Sequence, residues 1–72
     1  MARPTTRLEV VADGAKWNVC EIGIGRLSSH PTKDKATAAA RAIANIHTPA
    51  ELVVRNQDGS IETEHSYRAP VK

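Results

Sequence analysis

Apolar and polar residues alternate along two stretches of the chain, and an Asp-Gly pair interrupts each stretch near its middle. Alternation with a period of two is typical of a β-strand, and Asp-Gly suits the type I′ turn of a tight hairpin. We therefore predict a first hairpin with Asp13 and Gly14 as its turn residues, which sets Val10 opposite Trp17. The residues expected on its buried face are Leu8, Val10, Ala12, Ala15, Trp17 and Val19.

The second alternating stretch folds back at Asp58-Gly59. A three-residue loop with a glycine bulge suits the local sequence but would set Val54 against Glu62. The apolar pattern instead favours a loop of two or four residues, in which Asn56 pairs with Ile61. The residues expected on the buried face of this hairpin are Leu52, Val54, Ile61, Thr63 and Tyr67.

One helix is predicted between the hairpins, and it is rich in alanine. Thr32 suits the position before its first turn because its hydroxyl can accept from free backbone N–H groups, and Asp34 favours the helix dipole. Pro49 ends the helix, because the residue before a proline is disfavoured in the helical conformation. Alanine keeps the helix slim enough to lie close to a sheet. We expect residues at helical spacing to form one apolar stripe along the helix, with His47 half-buried at its end. The residues of this stripe are Ala36, Ala39, Ala40, Ile43, Ile46 and His47.

A third strand is expected at residues 26–30, after a turn at residues 22–25. Two registers remain open, one with Leu27 beside Val19 and one with Leu27 beside Cys20. The whole pattern predicts an α+β domain in which two β-hairpins flank one α-helix, in the order β-β-(β)-α-β-β. We expect an antiparallel sheet with the helix packed on one face.

The domain is predicted over residues 8–67, between a flexible basic arm at 1–7 and a loose tail at 68–72. A chain of 72 residues is close to the size, about 70–80 residues, below which one core rarely suffices. One cysteine excludes an intrachain disulfide. Burial between two copies would compensate, so we expect a homodimer, or binding to another protein. The candidate partner-binding residues are Val11, Ile22, Ile24, Ala38, Ala42 and Val53.

The net charge of +2 comes entirely from Arg3 and Arg7, and the rest of the chain is formally neutral. A nucleic-acid-binding protein usually carries a concentrated basic face. We therefore rank nucleic-acid binding second, through the arm and the start of the helix. The candidate residues are Arg3, Arg7, Arg26, Lys33, Lys35 and Arg41.

Catalytic and metal sites are not predicted. His30, His47 and His65 have no ligand pair at the short spacing that a metal site uses, and Cys20 has no neighbouring cation in sequence to lower its pKa. Ser28 and His30 are neighbours in sequence, whereas a catalytic triad depends on three-dimensional geometry. No apolar stretch is long enough to span a bilayer, and the start of the chain lacks the apolar run of a signal peptide. We expect a cytoplasmic protein without a cofactor.

Several short motifs resemble one family of small bacterial and phage proteins. They are residues 17–19 (Trp-Asn-Val), residues 32–36 (Thr-Lys-Asp-Lys-Ala) opening the helix, and the stretches at 51–54 and 58–61 before Tyr67. The family is known only as domain of unknown function two-one-eight-eight, and the likeness runs from residue 8 to residue 67. It implies the same layout and no established activity. We therefore predict a small non-enzymatic binding or regulatory module.

Overall fold

The computed structural model describes residues 5–68, and within them the chain forms five strands and one helix. The strands stand side by side in the order β3-β2-β1-β4-β5, so β1 is the central strand. The elements are β1 (Thr6–Asp13), β2 (Lys16–Glu21), β3 (Gly25–His30), α1 (Lys33–Ile46), β4 (Ala50–Arg55) and β5 (Ile61–Tyr67).

The sheet is mixed, which corrects the predicted purely antiparallel sheet. β1 and β4 run parallel, whereas the other three neighbouring pairs are antiparallel. The cause is the helix, which carries the chain back to the end of the sheet where β1 begins. Thr6 and Ala50 therefore lie side by side as the two strands start. Three strands precede the helix and two follow it, and the α+β class with a single helix is confirmed.

The first hairpin turns one residue later than predicted. Asp13 pairs with Lys16, so Gly14 and Ala15 are the turn residues. Gly14 has a φ of +61° and Ala15 a negative one, as in a type II′ turn, which places glycine first. The pairing shifts by two residues, and a shift of two keeps every strand residue on its predicted face. Ala15 is the exception, because it lies exposed in the turn.

The second hairpin uses the three-residue loop that the apolar pattern disfavoured. The Asn56 N–H donates to the Ser60 carbonyl at 2.7 Å, and the Gly59 N–H donates to the Asn56 carbonyl at 2.9 Å. Gly59 has a φ of +94°, which fits a glycine bulge at this position. The loop therefore follows its local chemistry, contrary to the prediction.

A β-bulge in β5 restores the register beyond that loop. Arg55 pairs with Ile61 but Val54 pairs with Thr63, which leaves Glu62 as the extra residue. Val54 therefore avoids Glu62, as the apolar pattern required. The three-residue loop, however, sets Ile61 opposite Arg55, on the face away from the core, and Ile61 is 50% exposed. The prediction of Ile61 on the buried face is wrong for this reason.

β3 also contains a bulge, and neither predicted register is observed. Val19 pairs with Ser28 and Cys20 pairs with Arg26, so Leu27 is the extra residue between them. The strand itself is confirmed.

The core lies between α1 and one face of the sheet. The Thr32 hydroxyl accepts from the Lys35 N–H at 3.2 Å, so the predicted cap is confirmed. Ile46 and His47 are exposed, contrary to the predicted stripe. Ile46 lies about 120° of helical rotation from the buried Ala40, and His47 is the C-cap, beyond the last residue of the helix. Trp17, Ala39, Ile43 and Tyr67 pack against the core, whose buried hydrophobic residues are Leu8, Val10, Val19, Ala36, Ala40, Ala44, Ala50, Leu52 and Val54.

The predicted boundary of the basic arm falls inside the first strand. β1 begins at Thr6, so Arg7 belongs to the sheet rather than to a flexible arm. Arg3, most of the predicted arm and most of the predicted tail lie outside the described residues.

Candidate interaction surface

The sheet has one face under α1 and one face that no described element covers. Strand alternation and the pairing registers assign each side chain to one of them. We call the uncovered side the outer face. Its residues are Arg7, Glu9, Val11, Asp13, Lys16, Asn18, Cys20, Arg26, Ser29, Glu51, Val53, Arg55, Ile61, Glu64 and Ser66.

Two valines lie at the centre of the outer face, on the two parallel strands. Val11 and Val53 are half-buried. Beside them, the Arg55 Nε donates to Glu9 Oε2 at 2.9 Å, with both side chains largely buried. Arg55 is held further by its Nη1, which donates to the Gly59 carbonyl at 2.9 Å. The charges next to the valines are therefore paired and fixed in position.

Polar contacts surround this centre. Asn18 is 8% exposed, and its amide donates to Asp13 Oδ2 at 3.0 Å and accepts from the Ser29 hydroxyl at 2.8 Å. On the other side, Arg7 Nε lies 3.6 Å from Glu51 Oε1 in an exposed ion pair. The sequence offered one signal for Asn18, a polar residue inside an apolar strand, and the prediction did not use it.

The predicted isoleucines lie at the β2–β3 turn. Ile22 and Ile24 are 55% and 71% exposed. The Ile22 N–H donates to the Arg7 carbonyl at 2.9 Å, which brings the turn against the start of β1. Ile22 and Val53 thereby border a shallow hollow of about 210 Å³ on the outer face.

The six predicted partner-binding residues do not form one surface. Val11 and Val53 share the outer face, and Ile22 and Ile24 lie at its end. Ala38 and Ala42 are exposed on the helix, on the opposite side of the sheet.

Lys33, the first residue of the helix, is engaged by three other side chains. It forms an ion pair with Glu62, donates to Asn56 Oδ1 at 3.3 Å and lies 5.5 Å from the centre of the Trp17 ring. An ammonium group over an aromatic face is an attractive contact. Lys33 therefore ties the start of α1 to the second hairpin.

The other predicted basic residues are dispersed over the molecule. Arg41 shares a groove with Lys33, whereas Lys35 lies about 200° of helical rotation from Lys33. Arg26 and Arg7 belong to the outer face, on the far side of the sheet. The described basic residues thus do not converge on one surface.

The groove that holds Lys33 and Arg41 lies between α1 and β5. Its volume is about 260 Å³, and side chains of both charge signs line it. Within residues 5–68, no group of three His, Cys, Asp or Glu side chains could hold a metal ion. The lining residues are Lys33, Asp34, Thr37, Arg41, Val54, Glu62, Thr63 and His65.

One serine–histidine contact lies on the edge strand β3. The Ser28 hydroxyl and His30 Nε2 are 2.8 Å apart. In the described part of the chain, the second ring nitrogen of His30 has no hydrogen-bond partner. A nucleophile and its base need a third group to orient the base, so this pair by itself is a local contact. Elsewhere, His47 is exposed and Cys20 is a half-buried free thiol on the outer face.

Comparison with known proteins gives one match. A family described as "Uncharacterized protein conserved in bacteria (DUF2188)" matches residues 8–67, the range expected from the resemblance. No curated protein matches the chain, and no solved structure does. The helix described within residues 5–68 is too short to cross a membrane.

Proposed function

The chain belongs to this family, whose description gives no activity, and we propose from its surface that it is a small non-enzymatic protein-interaction module. The outer face of the sheet is its binding surface. The observation that supports this proposal is the arrangement of that face, with an apolar pair, Val11 and Val53, beside a fixed ion pair and within a polar surround. Specific protein interfaces have this anatomy, an apolar centre inside a polar rim.

The balance of charge supports a protein partner over a nucleic acid. Four basic residues of the outer face, Arg7, Lys16, Arg26 and Arg55, are matched by four acidic ones. Surfaces that bind nucleic acids are much more positive than surfaces that bind proteins. The acidic residues of the face are Glu9, Asp13, Glu51 and Glu64.

The absence of catalysis is also part of the proposal. The groove between α1 and β5 holds charges of both signs in an open cleft, and Lys33 within it is already paired with Glu62. Covalent catalysis of the serine-hydrolase kind needs a nucleophile, a base and a group that orients the base. The Ser28–His30 contact supplies at most two of these.

A pull-down from the source cells tests the proposal with matched variants. Val53→Lys places a charge at the centre of the outer face, and Ile46→Lys makes the same change at a helix residue that is 76% exposed. We expect wild type and Ile46→Lys to capture the same protein, with or without nuclease, and Val53→Lys to capture about tenfold less. Capture that is lost with nuclease, or that Val53→Lys does not reduce, contradicts the proposal.

Titration with random duplex DNA tests the alternative, a nucleic-acid-binding protein. Binding to phosphates releases counterions, so its affinity falls steeply with added salt. We expect no binding at a salt concentration of about 50 mM. Tight binding that collapses as salt is added would favour the alternative.

A further inference from the structure

The outer face carries a gradient of charge across the sheet. The pairing registers place five residues in one row that crosses all the strands, from β3 to β5. The row is basic at one end and acidic at the other, and at its centre Glu9 is neutralised by Arg55. In the described chain, neither Arg26 nor Glu64 forms an ion pair. In order across the sheet, the row is Arg26, Cys20, Glu9, Val53 and Glu64.

The apolar centre of the face lies on the middle strand. Val11 belongs to β1, the third of five strands, and its neighbour in β2 is Asn18. Two sheets that pack face to face through such a centre bring their two Val11 side chains together if the symmetry axis follows β1. An axis along β1 therefore satisfies both the position of Val11 and the charge gradient.

We propose that the partner at the outer face is a second copy of this chain, packed face to face about a two-fold axis that runs along β1. This inference rests on the proposed interaction module and names its partner. Rotation about that axis lays the β3 edge of one copy over the β5 edge of the other. Arg26 then faces Glu64 of the second copy, and Cys20 faces its Val53. An axis across the strands through this row would instead set Arg26 against Arg26 and Glu64 against Glu64, where like charges without an ion pair in the described chain repel. The axis along β1 sets Arg7, Glu9 and Asp13 against their own copies, but Arg7 and Glu9 are paired within each copy with Glu51 and Arg55, and Asp13 accepts from Asn18.

The size of the face suits a dimer of this kind. Five strands spaced about 4.8 Å apart, each about 20 Å long, outline roughly 500 Å² in each copy. If the whole face is covered, two copies bury about 1,000 Å² before the relief of the side chains is counted, which is the lower limit for a specific interface. Aligned packing of two sheets, with strands crossing at about 30°, is a common arrangement.

The small core supplies a reason for the association. Within residues 5–68, nine hydrophobic residues are buried and four of them are alanines, and a single cysteine excludes an intrachain disulfide. Burial of Val11 and Val53 against a second copy adds hydrophobic stabilisation that the single chain lacks. Because the outer face has as many acidic as basic residues, net charge does not oppose contact between two copies.

Analytical ultracentrifugation of charge-reversed variants tests the symmetry. We expect wild type to be a dimer at the upper end of a range from about 1 µM to about 500 µM. Arg26→Glu alone, or Glu64→Arg alone, places like charges together twice in each dimer and raises the dissociation constant by about tenfold. The double variant Arg26→Glu/Glu64→Arg restores the wild-type value, and an equal mixture of the two single variants forms a heterodimer.

Lys35→Glu is the matched control, since Lys35 is exposed on the helix side of the sheet. It leaves the dissociation constant unchanged, and circular dichroism of each variant verifies that it is folded. A wild-type chain that stays monomeric throughout the range overturns the inference. The proposed symmetry, and with it the inference, is also overturned if the single charge reversals do not change the dissociation constant. It is overturned likewise if the double variant dimerises as weakly as the single variants.

Failure here is distinguishable from failure of the proposed function. Suppose that the wild type is monomeric but still captures a protein, and that Val53→Lys loses this capture. The outer face is then a binding surface for a different partner, and only the dimer is overturned. If Val53→Lys changes neither self-association nor capture, the outer face is not a binding surface. Both proposals then fail together.

Discussion

Single residues set the geometry of the two hairpin turns. Gly14 and Gly59 have positive φ values of +61° and +94°. Apart from the glycine and its two chain neighbours, no described atom lies within 4 Å of the position that a Cβ would take at either glycine. A side chain there meets open space, so the cost of replacing glycine is a cost of backbone conformation alone.

Replacing Gly14 by alanine measures that cost directly. A residue with a Cβ is disfavoured in the left-handed region by about 1–2 kcal/mol, so we expect Gly14→Ala to lower the free energy of unfolding by that amount. Gly14→Asn is the control, because asparagine tolerates this region better, and it should cost less. Urea unfolding provides the measurement, and equal losses for both variants would contradict the explanation.

The acidic side chain in the second loop is tuned by one neighbour. The Ser60 hydroxyl and backbone N–H both donate to Asp58 Oδ1, at 2.6 and 2.9 Å. These hydrogen bonds, the hydroxyl foremost, hold the pKa of Asp58 below its ordinary value of 3.8. Because the folded pKa is the lower one, ionised Asp58 stabilises the fold above pH 3.8, and that contribution is lost as the pH falls through the folded pKa.

Ser60→Ala tests this cause, because it removes the stronger hydrogen bond and leaves the backbone N–H in place. We expect the pKa of Asp58 to rise toward 3.8, as followed by an NMR titration of its carboxyl carbon. Ser66→Ala, an exposed serine of β5, should leave the pKa unchanged. An unaltered Asp58 pKa in Ser60→Ala would show that the hydroxyl is not the cause.

Among the elements, the helix shows how composition controls packing. Ala36, Ala40 and Ala44 have no exposed surface, so α1 lies close against Leu8 and Leu52 of the core. Alanine at these positions gives high helix propensity together with a thin buried side. The core is therefore dense, although it contains few large side chains.

Enlarging one buried alanine tests the close approach of the helix. Ala40→Leu adds three carbon atoms where no space is left, and overpacking of this kind costs about 1–3 kcal/mol. Ala38→Leu makes the same change at an exposed position and should alter stability by less than about 0.5 kcal/mol. Urea unfolding compares the two, and a tolerated Ala40→Leu would mean that the helix can move away from the sheet.

At the scale of the whole molecule, the feature that matters is a sheet with a helix on one face only. The outer face keeps Val11 and Val53 half-buried at its centre, where a second copy would exclude water from them. Only folded chains can form the dimer. If association stabilises the fold, the Tm therefore rises with protein concentration.

Differential scanning fluorimetry at rising protein concentration tests this dependence. We expect the Tm of wild type to increase with concentration, and the Tm of Val11→Lys to stay constant because two lysines would meet on the two-fold axis. Ile46→Lys is the control and should behave as wild type does. A wild-type Tm that is independent of concentration contradicts association through this face.

The candidate surface was only half predictable. The alternation of residues along the strands placed Val11 and Val53 outside the core, because each lies next to a buried neighbour. This prediction depends on strand geometry alone. It grouped them with Ala38 and Ala42, which the fold puts on the opposite side. It also grouped Lys33 with Lys35, although the helix turns these two side chains apart. The first grouping fails because sharing a surface depends on how elements pack, which residue spacing does not encode. The second fails on spacing alone, since residues two apart on a helix do not share a face.

Local chemistry in the chain was enough to specify the strands, the single helix with its Thr32 cap, and which apolar side chains of β1, β2 and β4 face the helix. Each of these depends on neighbours within a few residues, so periodicity and capping report them. The bulges at Leu27 and Glu62 lie within single hairpins, and the alternation of apolar residues does not reveal them. The parallel pairing of β1 with β4 and the row from Arg26 to Glu64 arise between segments distant in sequence. Their energies exist only once the helix has brought β4 beside β1, so folding alone sets them.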